Sequence, residues 1–296
     1  MGATAPPEAV AALEPRVGPG AECVLLSDRR GSRAWKVTGE WATVVLKANS
    51  PEAGQERDKA AEIDQEDRHL RALTAAEAID PGYRVDAGGW DGGHWLAVDW
   101  LAGEPLWHAF AQARGPEGDR PAARRWLLTV TRTWAARLAR MHAAGWTHAD
   151  VQPTNTVVTP EGRAAFFDFA LSCGPDTADR LPYRGALTHT TAPEIADALL
   201  TTSADTHVQV RPPADVWGLG ASLFWCWTGC RPVPYADEAS RPDKLCAIAA
   251  GERADLAAVR PWPFPAFEEV IAACLTPSAA ERPGAAEVAR ALDAVR

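Results

Sequence analysis

The chain lacks the features that mark export, membrane insertion or nucleic-acid binding. Its 296 residues include 30 Lys or Arg against 39 Asp or Glu, which gives a formal charge of -9. A surface that neutralises phosphates needs a basic excess, so we expect no nucleic-acid partner. The N-terminus has no basic start followed by an apolar core, and the longest apolar run, Val216 to Cys230, is too short to span a bilayer. We therefore expect no membrane partner and a cytoplasmic location.

Cysteine is sparse and irregularly placed. None of the six cysteines forms a Cys-x-x-Cys pair, and no His lies near them at zinc spacing. This excludes a zinc-ribbon or redox motif and predicts reduced, mostly buried cysteines. Hydrophobic residues make up 47% of the chain and charged residues 23%, as in an ordinary globular protein large enough for two lobes.

The residues suited to chemistry concentrate in two short stretches. The first, Thr-His-Ala-Asp-Val-Gln-Pro-Thr-Asn over 147–155, places Asp150 and Asn155 five residues apart. The second, Phe-Phe-Asp-Phe-Ala, places Asp168 thirteen residues after Asn155, beyond a run that predicts two short strands. A carboxylate can accept the proton of a hydroxyl nucleophile, while amide and carboxylate oxygens are hard ligands suited to magnesium. This combination is typical of phosphoryl transfer.

The two stretches resemble the catalytic loop and metal-binding motif of the protein kinase family, usually His-Arg-Asp-Leu-Lys-Pro-x-Asn and Asp-Phe-Gly. Three positions depart from the family pattern, because Ala149 replaces Arg, Gln152 replaces Lys and Ala170 replaces Gly. Gln152 can donate a hydrogen bond near the transferred group but cannot neutralise charge. The loss of Arg at position 149 implies a kinase that needs no phosphate on the segment leading to Glu194.

The resemblance implies ATP and Mg²⁺ as cofactors. Asp150 would orient the acceptor hydroxyl and take its proton, while Asn155 and Asp168 would hold the metal ion on the phosphates. We expect His148 to be structural and to pack near Phe169.

Short strands are predicted from Glu22 onward, and the third, Trp41 to Ala48, contains Val-Val-Leu-Lys. Lys47 matches the phosphate-binding Lys that the kinase family carries on its third strand, although a solvent-facing Lys is the alternative interpretation. Nineteen residues further on, Glu66 shares a helical face with two leucines, and the resemblance makes it the partner of Lys47. Glu62, one turn earlier, is the second choice. The predicted helix covers 51–77, beginning at Pro51 and Glu52.

The glycine-rich loop of the family is poorly kept. Gly31 lies at the position of its last glycine, but Leu26 and Asp28 occupy the earlier ones and would crowd a phosphate. Arg29 and Arg30 could supply positive charge, or they could form an exposed basic turn.

The run from Leu96 to Gly103 resembles the strand and hinge that meet adenine in kinases. The resemblance implies that the Asp99 carbonyl and the Leu101 amide bind the base, with Val98 beside it.

Three residues in the last third of the chain also match the family. Glu194 in Ala-Pro-Glu would pair with Arg282, and Asp215 would brace the backbone of the catalytic loop. Asp215 opens a segment predicted to be a buried helix. Because an ion pair needs both members, Glu194 and Arg282 together are more informative than either alone.

These patterns predict an α+β, bilobal protein-kinase-like fold. An N-lobe over 1–98 would hold a small antiparallel sheet with one main helix, after a loose or partly helical lead-in over 1–20. A C-lobe over 99–296 would be mostly helical, with a long helix from Pro121 to Gly145.

The resulting hypothesis is a stand-alone, bacterial eukaryotic-like (Hanks-type) kinase that phosphorylates Ser or Thr of a protein or peptide. One candidate substrate is a precursor peptide of lanthipeptide biosynthesis, with a lyase as partner. A small-molecule kinase resembling the aminoglycoside phosphotransferases is an alternative, favoured by Gln152 and disfavoured by Glu194 and Arg282. A pseudokinase acting as a scaffold is another, indicated by the degraded glycine-rich loop. The oligomeric state has no signature in the sequence.

Overall fold

The computed structural model describes residues 3–29, 31–50, 59–175 and 181–295. The chain divides into two compact units, Met1–Leu101 and Ala102–Arg296. The predicted α+β class is confirmed, because the first unit contains an antiparallel five-stranded sheet and the second is mostly helical. The functional roles assigned to 1–98 and 99–296 stay predictions.

The first unit follows the predicted order of strands around one main helix. Its elements are α1 (Pro7–Val17), β1 (Glu22–Arg29), β2 (Ser32–Thr38), β3 (Thr43–Asn49), α2 (Lys59–Ala75), β4 (Arg84–Trp90) and β5 (Gly93–Asp99). The strand order is β1-β2-β3-β5-β4, and neighbouring strands are antiparallel. The start predicted for the main helix, at Pro51 and Glu52, lies outside the described residues.

Alternation along β3 decides which side of the sheet carries Lys47. Val44, Leu46 and Ala48 are fully buried on one face, and successive side chains of a strand point to opposite faces. Lys47 therefore projects from the other face, where Glu66 of α2 meets it.

Helix α1 covers the apolar face of this sheet. Ala9, Leu13 and Val17 recur every four residues and are buried in one cluster with residues of the strands. The strand residues of this cluster are Trp35, Val37, Val44, Leu46, Ala48, Trp95 and Ala97. The segment expected to be a loose or partly helical lead-in, 1–20, therefore contributes a helix to the core. Pro7 lies in the first turn of this helix, where proline is favoured because its φ is already helical.

The second unit is built around two long helices. Its elements are β6 (Glu104–Pro105), α3 (Leu106–Ala109), α4 (Pro121–Ala143), β7 (Thr156–Val158), β8 (Ala164–Phe166), α5 (Pro193–Thr201), α6 (Pro212–Thr228), α7 (Arg241–Ala249), α8 (Leu256–Val259), α9 (Pro265–Cys274) and α10 (Ala285–Asp293). The three short strands pair antiparallel in the order β6-β7-β8. The predicted helix from Pro121 is α4, and the predicted buried helix is α6.

Helix α6 lies in the core of the second unit and is approached closely by the loop that carries Asp150. A Cβ atom added at Gly218 would lie 2.9 Å from Val151, and one added at Gly220 would lie 2.6 Å from the Cβ of Cys274. Both distances are shorter than real carbon contacts, so glycine is required here for close packing. The loop is therefore seated directly on the central helix.

The cysteines only partly follow the expectation. All six are free, but Cys23, Cys230 and Cys246 are exposed while the other three are buried. The expectation that most are buried is therefore wrong. Among the described residues, no helix combines the length and the apolar character that crossing a membrane requires.

Candidate active site

The first of the two motif stretches follows α4 and contains a tight turn at 148–150, which Asp215 holds. The two oxygens of Asp215 accept the backbone N–H groups of His148, at 2.7 Å, and of Ala149, at 2.8 Å. The Nε2 atom of His142 lies 2.9 Å from the same carboxylate. Asp215 is only 1% exposed, so these contacts replace its hydration. It braces the turn as expected.

Backbone strain marks both motif stretches. Ala149 has a φ of 63° and Asp168 a φ of 67°, and among the described non-glycine residues only Glu77 also has a positive φ. The left-handed region costs roughly 1–2 kcal/mol for a residue with a Cβ. Such conformations persist where surrounding contacts impose them, and they cluster at functional sites.

The carboxylate of Asp150 is held by two side-chain amides. Its Oδ1 accepts the Nε2 of Gln152 at 2.6 Å, and its Oδ2 accepts the Nδ2 of Asn155 at 2.8 Å. The hydroxyl of Thr154 donates to Oε1 of Gln152 at 2.8 Å, which fixes the orientation of that amide. Because the NH₂ group of Asn155 donates to Asp150, its Oδ1 is not used in that contact.

Asp168 is electrostatically coupled to Asp150. Burial, first, and the negative charge of Asp168, second, raise the pKa of Asp150 to about 6, against hydrogen bonds from Gln152, Asn155 and the Leu187 backbone. A carboxyl with a pKa near neutrality is suited to accept a proton at physiological pH. The structure thus brings together Asp150, Gln152, Asn155 and Asp168, all of which the sequence singled out.

His148 has the structural setting that was expected. Its ring lies 4.9 Å from the Phe166 ring and 5.1 Å from the Phe169 ring. Its Nδ1 accepts the backbone N–H of Asp150 at 3.3 Å, so Nε2 carries the proton and donates to the Phe167 carbonyl at 3.2 Å. Both ring nitrogens therefore make hydrogen bonds that stabilise the turn.

In the first unit, Lys47 and Glu66 form an ion pair. The Nζ atom of Lys47 lies 2.7 Å and 2.9 Å from the two carboxylate oxygens of Glu66, whose side chain is 3% exposed. Glu62, the second choice, pairs with Lys59 instead. Of the two carboxylates, it is therefore Glu66 that positions Lys47, while the role of the pair toward nucleotide stays a prediction.

The predicted phosphate loop is a short hairpin. β1 ends at Arg29 and β2 begins at Ser32, with Asp28 and Arg33 joined by a 3.0 Å ion pair across the two strands. Gly31 has a φ of 77°, and its carbonyl accepts the Ser50 N–H at 2.8 Å. Arg30 lies outside the described residues. The hairpin leaves little loop to wrap around a phosphate, and the role of Gly31 stays a prediction.

The residues predicted to meet adenine lie at the end of β5. Asp99 is the last residue of the strand, where its N–H donates to the Tyr83 carbonyl at 2.7 Å. Leu101 is the last residue of the first unit. The proposed contacts of both with a base stay predictions.

The donor set near Asp150 suits magnesium and not zinc. Within the described part of the chain, no group of three or more His, Cys, Asp or Glu is placed to hold a metal ion. Magnesium needs no such group, because it binds one or two protein oxygens and takes its remaining ligands from phosphate and water. Asn155 and Asp168 supply one amide oxygen and one carboxylate, which fits that requirement.

The expected pair of Glu194 and Arg282 is present. The two terminal nitrogens of Arg282 lie 2.9 Å and 3.1 Å from the two carboxylate oxygens of Glu194. The Arg282 side chain is 0% exposed, and it also donates to three backbone carbonyls. These carbonyls belong to Thr276, Pro213 and Pro277. A buried guanidinium with its donors engaged anchors α5 to the end of the unit.

Tyr183 is a site residue that sequence reasoning missed. It is buried, and its hydroxyl donates to the Ala149 carbonyl at 3.1 Å. It belongs to an irregular segment with no periodicity and no motif, so only the structure could place it beside the turn.

No protein-family model matches the chain. Among curated proteins, the chain is similar to Cyclin-dependent kinase F-3 of Oryza sativa subsp. japonica, with 34% identity over 115 residues. The match covers 38% of this chain and 24% of the plant protein, so the chain spans about a quarter of the length of that relative. The similarity supports a protein-kinase-like relationship, and it carries no information on a bacterial or lanthipeptide origin.

We expect the Asp150 carboxyl to titrate near pH 6 in the metal-free protein. Asp168→Asn should lower this pKa, because it removes the negative charge that disfavours ionisation of Asp150. Carbon-13 NMR of aspartate-labelled protein measures the titration, and loss of the signal in Asp150→Asn assigns it.

Glu238→Gln, which removes one charge from an exposed side chain, is the control and should leave the pKa unchanged. An Asp150 carboxyl that titrates near its ordinary value of about 4, or that ignores Asp168→Asn, would contradict the coupling.

Proposed function

We propose that the chain is an ATP-dependent kinase that transfers the γ-phosphoryl group to a Ser or Thr hydroxyl of a protein or peptide. The observation that carries the proposal is the setting of Asp150. Its carboxylate is half-buried at a strained turn, oriented by the amides of Gln152 and Asn155 and electrostatically coupled to Asp168. The partial similarity to a plant cyclin-dependent kinase supports the same class.

Asp150 would act on the acceptor hydroxyl. The two amide donors hold its carboxylate in one orientation, which aligns the hydroxyl oxygen for attack and lets Asp150 take the proton. A pKa near 6 makes Asp150 a stronger base than an ordinary carboxylate while leaving it mostly ionised at neutral pH.

Asn155 and Asp168 would hold magnesium. When bound, the ion supplies positive charge that offsets the charge on the phosphate oxygens in the transition state. Gln152 adds a neutral hydrogen-bond donor where the family pattern has a Lys, so electrostatic stabilisation depends more heavily on the ion and on Lys47. We expect slow or specialised turnover.

Lys47 would bind the phosphates that are not transferred. The buried carboxylate of Glu66 contacts Nζ with both oxygens, which holds the ammonium in place on the sheet face away from α1. A charge positioned in advance binds anionic oxygens without reorganisation.

The Glu194–Arg282 pair matches the pattern of protein kinases. It therefore favours a protein or peptide as the acceptor. The narrowest form of the proposal is a bacterial kinase acting on a lanthipeptide precursor with a partner lyase. That form rests on resemblance and on no particular residue.

A pseudokinase is the second candidate, because the hairpin at Gly31 is short and carries Leu26 and Asp28 in place of glycines. Binding of Mg·ATP in a thermal shift assay without transfer to any acceptor would favour it.

Transfer of labelled phosphate from ATP distinguishes the acceptor classes. We expect incorporation into peptides that contain Ser or Thr and none into amino sugars, in a reaction that requires Mg²⁺. Peptides with Ser and Thr replaced by Ala are the matched control. Incorporation into amino sugars alone would contradict the proposal in favour of a small-molecule kinase.

Glu66→Gln should raise KM for ATP about tenfold, which corresponds to a loss of about 1.4 kcal/mol of binding, because Lys47 loses the charge that positions it. Steady-state kinetics at saturating acceptor measure the change.

Glu62→Gln is the matched control, since Glu62 lies one turn earlier on α2 and pairs with Lys59. It should leave KM for ATP within about twofold of the native value. Equal effects of the two substitutions would contradict a specific role for Glu66.

A further inference from the structure

The turn that presents Asp150 is held from two sides. Asp215 accepts the N–H groups of His148 and Ala149, while the carbonyl of Ala149 accepts the hydroxyl of Tyr183 at 3.1 Å. Asp215 belongs to α6, whereas Tyr183 comes from the segment that follows Asp168. The second contact therefore links two parts of the unit that are distant in sequence.

The hydroxyl of Tyr183 donates a hydrogen bond to the carbonyl of Ala149, the strained residue of the turn. Ala149 has a left-handed φ of 63°, which a residue with a Cβ adopts only when its surroundings impose it. Asp215 fixes the N–H groups of His148 and Ala149, and Nδ1 of His148 accepts the N–H of Asp150 at 3.3 Å. The hydroxyl of Tyr183 holds the carbonyl at the other end of that last peptide plane. Removing the hydroxyl of Tyr183 takes a donor from a buried acceptor, which weakens the constraint on the turn.

Tyr183 is itself firmly held. Its backbone N–H donates to Nδ1 of His207 at 3.0 Å, and its carbonyl accepts the N–H of Val208 at 3.2 Å. The next residue, Arg184, donates to the carbonyls of Leu199 and Thr202 at the end of α5. Because its backbone is held by these contacts, the side chain of Tyr183 can restrict the movement of the Ala149 carbonyl.

The same segment reaches Asp150 a second time. Asp150, Tyr183 and Leu187 line one small cavity. The segment that carries Tyr183 therefore lies beside both Ala149 and Asp150.

We propose that Tyr183 is a positioning residue for phosphoryl transfer. Its buried hydroxyl fixes the Ala149 carbonyl, and through it the orientation of Asp150 and the path of the segment leading to Leu187. This inference rests on the proposed function. It also explains how the segment is ordered where Ala149 replaces an Arg, because a neutral hydroxyl makes the contact and no phosphate is needed. Burial, and then the charge of Asp150, raise the pKa of Tyr183, so its hydroxyl remains a donor.

Tyr183→Phe in the full chain tests the proposal, because it removes one oxygen atom and keeps the ring. We expect kcat for peptide phosphorylation to fall about tenfold or more, since small displacements of a catalytic group are costly. KM for ATP should stay within about twofold, because Tyr183 is not placed among the nucleotide-binding residues. Amide hydrogen exchange should become faster in peptides covering 147–152 and 183–187.

Tyr235→Phe is the matched control. Its hydroxyl contacts His189 in the same unit and makes no contact with the turn. This variant should keep native exchange over 147–152 and a kcat within about threefold of the native value.

The outcomes separate this inference from the proposed function. If the native protein transfers no phosphate, the proposed function fails, while hydrogen exchange still decides whether Tyr183 holds the turn. Native kcat and native exchange over 147–152 in Tyr183→Phe would overturn the inference. A loss of activity that only follows a loss of folded protein, measured by thermal unfolding, would also overturn it and leave Tyr183 a purely structural role.

Discussion

The buried carboxylate of Asp215 is the interaction on which the candidate site depends. It accepts two consecutive backbone N–H groups and contacts His142 while almost fully excluded from water. A buried charge is tolerated only when its hydrogen bonds are satisfied. Helix α6 is enclosed by the core of its unit. Asp215, which belongs to this helix, therefore fixes the turn at 148–150 relative to that core. Because residue 218 of this helix is a glycine, the loop that contains Val151 can lie directly against the helix.

A short hairpin explains how the motif residues meet. β7 starts directly after Asn155, β8 ends two residues before Asp168, and Thr156 is paired with Phe166. The N–H of Phe167 then donates to the Asn155 carbonyl at 3.0 Å. The spacing of thirteen residues in the sequence is therefore the length of one hairpin that returns the chain to its starting point. The left-handed φ of Asp168 follows immediately after this return.

Much of this arrangement could be predicted because it depends on local patterns. The resemblance to the kinase pattern selected Lys47 and Glu66, and the helical face that Glu66 shares with two leucines supported that choice. The structure pairs Lys47 with Glu66 and Lys59 with Glu62. A partly helical lead-in was expected over 1–20, but its burial against the sheet was not, because the Ala- and Pro-rich composition obscured the four-residue spacing of Ala9, Leu13 and Val17. Tyr183 could not be found, because its contact with Ala149 is created by tertiary packing of an irregular segment. Three exposed cysteines contradict the expectation drawn from residue type alone.

Asp150→Asn provides the most direct test of the central claim that this carboxylate accepts the proton of the acceptor hydroxyl. The substitution removes the base and keeps the shape of the side chain, so Mg·ATP binding measured by calorimetry should stay within about twofold of the native value. Phosphoryl transfer to a Ser or Thr peptide, measured on the same preparation, should fall by about 10²- to 10⁴-fold. Native rates of transfer in Asp150→Asn would contradict the claim.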